Sequence, residues 1–115
     1  MVDESIIEAV KTYLQNLVDW GIPVTYGVLY GSRVTGNADQ WSDIDLLVVS
    51  PRFDAPHTWE DTRLLWHVAA RTDNRIEPMP VGVREFDEDD SSAIIEIARR
   101  AGQIIPLAGR SRQYL

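Results

Sequence analysis

Cysteine is absent from the sequence, which excludes a disulfide framework and any thiolate-bound metal. Nor does any apolar run approach the roughly 20 residues that a membrane-spanning helix needs. The opening Met-Val-Asp-Glu is acidic and lacks the basic and apolar regions of a secretory signal. A cytoplasmic location without a membrane partner is therefore expected. Internal repeats, low-complexity tracts and long linkers are missing too. Histidine is scarce: His57 and His67 are the two in the chain. Neither has a second ligand at zinc spacing, so surface or half-buried roles are expected of both. Positive charge is in deficit. A net charge of −7 argues against tight nonspecific nucleic-acid binding, which needs a basic face to neutralise phosphates. Free nucleotides stay open as partners, because bound divalent cations neutralise their phosphates locally.

What is present fits one globular domain, residues 1–115, with one core: the chain has 115 residues, 44% hydrophobic and 25% charged, ordinary values for that class. Ile6, Ile7, Val10, Tyr13, Leu14, Leu17 and Val18 recur at helical spacing, which predicts an amphipathic helix over about 3–19. Gly21 and Pro23 stop it. Val24–Tyr30 is β-branched and aromatic and predicts a strand, running straight into Gly31-Ser32-Arg33. Asn37–Gln40 is polar and reads as a loop or a helix end. Asp43–Val49 carries the continuous apolar run Leu46-Leu47-Val48-Val49, the pattern of a strand buried on both faces. A second helix follows over about 57–71. Arg75–Val83 predicts a strand confined to a sheet edge by Pro78 and Pro80. Ser91 or Ser92 caps a last helix through Arg100, and a short strand follows at Gln103–Ile105. This alternation predicts an α+β fold, a small mixed sheet covered mainly on one side by helices.

Asp43 and Asp45 stand two apart at the start of a strand, where i and i+2 side chains share a face, roughly 7 Å apart along the backbone. Two anions so placed repel each other, and a divalent cation relieves that cost. Hard oxygen donors suit Mg²⁺, and a pair of ions would stabilise the attacking and leaving oxygens of an in-line displacement. Taken alone, Asp-x-Asp fits a solvated turn as well. Upstream, Gly31 lets backbone approach a phosphate, and the Ser32 hydroxyl can bond an oxygen at a helix N-terminus. Arg33 offers a charged contact.

The segment Leu29-Tyr30-Gly31-Ser32-Arg33, then ten residues between Ser32 and Asp43, then Asp43-Ile44-Asp45-Leu46-Leu47-Val48 resembles the signature of the DNA polymerase β-like nucleotidyltransferase superfamily. Within it, the chain is similar to the minimal nucleotidyltransferases, with their Gly-Ser-x10-Asp-x-Asp hallmark. The resemblance implies transfer of a nucleoside monophosphate, with ATP as the expected donor, to an acceptor. It implies two Mg²⁺ ions on Asp43 and Asp45 and a triphosphate held by Gly31, Ser32 and Arg33. A third carboxylate is expected on a later strand to bind the catalytic metal and help activate the acceptor hydroxyl. Glu77 stands at the matching place, where the family often has aspartate, and Asp73 is the fallback in the loop before it. Because the chain has no room for an acceptor-binding domain, the acceptor site is expected on a second subunit, as in a homo-oligomer, or on a substrate protein. The resemblance points to a HEPN-type partner, as in toxin–antitoxin pairs. The rival reading is a noncatalytic interaction domain that keeps the fold; the position of Glu77 relative to Asp43 and Asp45 separates the two.

Other features have structural explanations. Asp87-Glu88-Asp89-Asp90 lacks the ligand spacing of a calcium loop and reads as acidic capping before a helix. Trp41 could stack on a base, but packing is the simpler role, and Trp20, Trp59 and Trp66 read as packing residues. Arg99, Arg100, Arg110 and Arg112 make the C-terminal region modestly basic, for an acceptor, a partner or solvent.

Overall fold

The computed structural model describes residues 2–56 and 58–107; His57, Arg110 and Arg112 lie outside that set. The apolar stripe of the first helix, α1 (Glu4–Asp19), buries Ile6, Val10, Tyr13, Leu14 and Leu17, and Asp3 caps it by accepting from the Ser5 N–H at 2.9 Å. Strand β1 (Tyr26–Tyr30) leads into a single turn, α2 (Ser32–Thr35), and then β2 (Ile44–Val49). After a 3-10 turn at Pro51–Asp54 come α3 (Trp59–Thr72), β3 (Ile76–Val81), α4 (Val83–Glu88), α5 (Ala93–Ala101) and β4 (Gln103–Pro106). Tyr13 ties α1 to α3 by donating its buried hydroxyl to the Leu65 carbonyl at 2.9 Å.

The four strands form one mixed sheet in the order β3-β2-β1-β4. β1 is antiparallel to both β2 and β4, whereas β2 and β3 are parallel. Strand alternation divides the apolar run of β2 between two clusters. Ile44, Leu46 and Val48 pack with Leu29, Ile76 and the inner faces of α1 and α3, while Leu47 and Val49 pack with Val28, Val81, Phe86, Ile95 and Ala98. Helices therefore cover both faces. The cover expected mainly on one side is the larger part, formed by α1 and α3; α4 and α5 add a smaller layer opposite.

Three local expectations are corrected. The strand predicted over 75–83 ends at Val81, because Gly82 caps α4 and lies so close to Asp54 that an added Cβ would overlap the Asp54 carboxylate. Asp54 accepts from the Arg84 and Glu85 N–H groups, at 3.1 and 3.3 Å, satisfying donors that α4 cannot satisfy itself. Replacing it, Asp54→Ala, is expected to cost about 1 kcal/mol, or about 4 °C in Tm at this chain length; an unchanged thermal midpoint would show that the cap contributes nothing. The acidic run was expected ahead of a helix, yet Asp87 and Glu88 end α4, and Ser92 caps α5. Arg99 compensates the carbonyl end of α4 by donating to Phe86 and Asp89 carbonyls. Finally, the tryptophans are not core residues: Trp20, Trp59 and Trp66 are 50%, 73% and 45% exposed. Trp59 opens α3, and Trp20 meets the His67 ring edge-on at 5.2 Å.

Candidate functional site

Register across the sheet sets one row of side chains. Tyr30 on β1 pairs with Asp45 on β2, and Asp45 pairs in turn with Glu77 on β3. Paired residues project to the same face, so the three line up across three strands at one end of the sheet. Asp43 stands just before β2, two residues from Asp45. The Ile44 N–H, bonded to the Arg75 carbonyl at 2.8 Å, fixes this entry against β3.

Negative charge crowds this row. Glu77 lies within hydrogen-bond reach of Asp43, and that contact, followed by burial and the charges of Asp43 and Asp45, raises its proton affinity above the ordinary glutamate value. Burial first, then the Asp43 charge, does the same to Asp45. Burial and the charges of Asp45 and Glu77 likewise push up the Tyr30 phenol. Burial and neighbouring negative charge thus act in the same direction on all three groups.

Gly31 closes the row on the β1 side. With φ 79° and ψ −151° it holds a backbone conformation essentially restricted to glycine, and an added Cβ would overlap Asp45 Oδ2. Its carbonyl accepts from Val34 and Thr35 and starts α2. At four residues, α2 is too short for a substantial dipole; what it offers at Gly31 and Ser32 is local backbone N–H and a hydroxyl.

Arg33, expected at the phosphates, donates from Nη2 to the Ser42 carbonyl at 2.6 Å. Arg75 reaches the same loop from the other side, with Nη1 on the Gln40 carbonyl at 3.2 Å. Arg75 also grips Asp73 through Nε and Nη2 at 3.0 and 2.7 Å, and those bonds hold the Asp73 carboxyl below its usual range. Asp73, the fallback third acid, is thus committed to Arg75, and Glu77 takes the place beside Asp45. Tyr30 and Arg75 received no role from the sequence. A regular alternation in Tyr26-Gly27-Val28-Leu29-Tyr30 was the available signal for Tyr30, but its partners depend on register.

Among the described residues, no three acidic or histidine side chains converge tightly enough to ligate one ion as they stand. The donor set nonetheless fits a divalent cation: hard carboxylate oxygens, mutual repulsion that a cation would relieve, and a glycine whose missing side chain lets the backbone lie directly against Asp45. In metal-free solution this repulsion destabilises the fold. An acid with raised folded-state proton affinity gains stability as pH falls through its folded pKa, and the gain is complete below the unfolded values of 3.8 for Asp45 and 4.5 for Glu77. Asp45→Asn in EDTA is therefore expected to stabilise the fold at pH 7 by less than about 1 kcal/mol, because solvent screens the pair, and to raise the thermal midpoint accordingly. The difference from wild type should vanish below pH 3.8, and a lower midpoint at pH 7 would contradict the electrostatic account.

The model of the nucleotidyltransferase domain family matches residues 7–105. No curated protein matches the chain. Among solved structures, a Sulfolobus solfataricus protein provisionally named a nucleotidyltransferase shares the fold with a TM-score of 0.60 and 14% identity, covering 87% of this chain and 78% of its own.

Proposed function

Because the chain belongs to the nucleotidyltransferase domain family, we propose that it transfers AMP from ATP to an acceptor hydroxyl, with Asp43, Asp45 and Glu77 holding Mg²⁺. The observation that carries this reading is the register that sets Glu77 beside Asp45 while its carboxyl reaches Asp43. Gly31 and Ser32 receive the triphosphate next to Asp45. Arg33, through its bond to the Ser42 carbonyl, steadies the segment that carries Asp43. Two Mg²⁺ ions bound here would supply charge neutralisation for the transferring phosphoryl group.

The chain's own residues supply the remainder. The acceptor oxygen attacks the α-phosphorus, the bond from that phosphorus to the oxygen bridging the β-phosphate breaks, and pyrophosphate leaves. Glu77, set beside Asp45 by the register of β2 and β3, takes the proton of the acceptor hydroxyl. The acceptor is a partner protein of HEPN type or a second copy of the chain.

α-Labelled ATP with Mg²⁺ and candidate partner proteins tests the reading. Label should appear on the acceptor with release of pyrophosphate. Calorimetric binding of ATP without transfer to any acceptor would favour a noncatalytic nucleotide-binding domain.

A further inference from the structure

Trp41 is 80% exposed, and its loop is fixed on every side. The Trp41 N–H donates to Asp39 Oδ1 at 2.9 Å, and the Asp39 N–H donates to Ser42 Oγ at 3.0 Å. The carbonyl before Trp41, that of Gln40, is held by Arg75, and the carbonyl after it, that of Ser42, is held by Arg33. Two arginines thus grip the peptide groups on either side of an indole that faces water. A buried aromatic ring contributes strongly to stability; here the fold forgoes that gain and still immobilises the backbone beneath the ring.

The place of this ring narrows its use. Trp41 stands two residues before Asp43, on a loop held both by Arg33, which follows the Gly31-Ser32 turn, and by Arg75, at the entry to β3. A nucleoside triphosphate with its α-phosphate at Asp43 and Asp45 would carry its nucleoside within reach of this loop. We infer that Trp41 is the stacking platform for the base of the donor nucleotide, an inference that rests on the nucleotidyl-transfer reading. A flat ring meets the π-face that every base has, so it supplies affinity with little choice among bases. The other exposed tryptophans differ: Trp59 and Trp66 lie on α3 and Trp20 at the end of α1, away from the carboxylates.

The test measures Mg²⁺-dependent binding of ATP and of inorganic tripolyphosphate, by calorimetry, to wild type, Trp41→Ala and Trp41→Phe. Trp41→Ala should weaken ATP about 10-fold or more and leave tripolyphosphate unchanged, while Trp41→Phe keeps most of the ATP affinity. GTP and CTP should lose affinity in Trp41→Ala as ATP does. Unchanged ATP affinity in Trp41→Ala would overturn the stacking role alone. Equal weakening of ATP and tripolyphosphate would overturn it too, by revealing a disturbed loop. Wild type that binds neither ligand would overturn the nucleotidyl-transfer reading, and the platform with it.

Discussion

Gly31→Ala is expected to lower nucleotidyl transfer by about 100-fold or more and to destabilise the fold by about 1–3 kcal/mol. Two effects add. At φ 79° and ψ −151°, any side chain carries backbone strain of about 1–3 kcal/mol. The new methyl would also overlap Asp45 Oδ2, so the carboxylate must move, and a displacement of about 1 Å at a reacting centre costs on the order of 100-fold in rate. Gly36→Ala is the control. Gly36 also has positive φ, at 88°, but an added Cβ meets nothing within 4 Å. It should lose about 1 kcal/mol of stability with transfer little changed. Calorimetry and label transfer on both variants separate strain from collision, and a Gly31→Ala protein with wild-type transfer would refute the close fit against Asp45.

The second large effect has opposite signs in its two readouts. Asp43→Asn and Asp45→Asn should each reduce transfer by about 1,000-fold or more, since losing a metal-binding charge forfeits several kcal/mol of transition-state stabilisation. The variants retain shape, so they remain folded, and Asp45→Asn should be the more stable protein without metal, as argued from its crowding. Function and stability are in tension at this position. Transfer that survived both substitutions would sink the proposed mechanism.

The sequence made some of this visible because the signals were local. The apolar stripe from Ile6 to Val18 predicts a helix over about 3–19, and α1 is Glu4–Asp19. Two prolines in one strand predict an edge, and β3 lies at one. Gly31-Ser32 and Asp43-Ile44-Asp45 mark a strand-to-helix turn and a strand entry. Features set by distant partners stayed hidden. The close fit of Gly82 on Asp54 ends β3 and starts α4, though Val81-Gly82-Val83 reads as strand. The bond of Arg33 to the Ser42 carbonyl also depends on a loop nine residues on that the sequence does not position. Tyr30 joins the row only through register, which alternation alone does not specify. Tryptophan size suggests burial, whereas Trp41 is exposed on a loop whose backbone Arg33 and Arg75 brace from outside it.

The two prolines of β3 also decide how the sheet can meet other chains. Pro78 and Pro80 stand two apart, so both take the same side of the ladder, and the side facing β2 carries the hydrogen bonds. The outer rim beside Glu77 therefore lacks amide donors at both positions, which protects it from strand addition by a neighbouring molecule. The opposite edge, β4, is short and has Ile104 exposed. A copy or partner that extends the sheet must join there, two strands away from Asp45, and leave the carboxylate row open to solvent and ligand. A complex built by strand pairing along β3 would contradict this polarity.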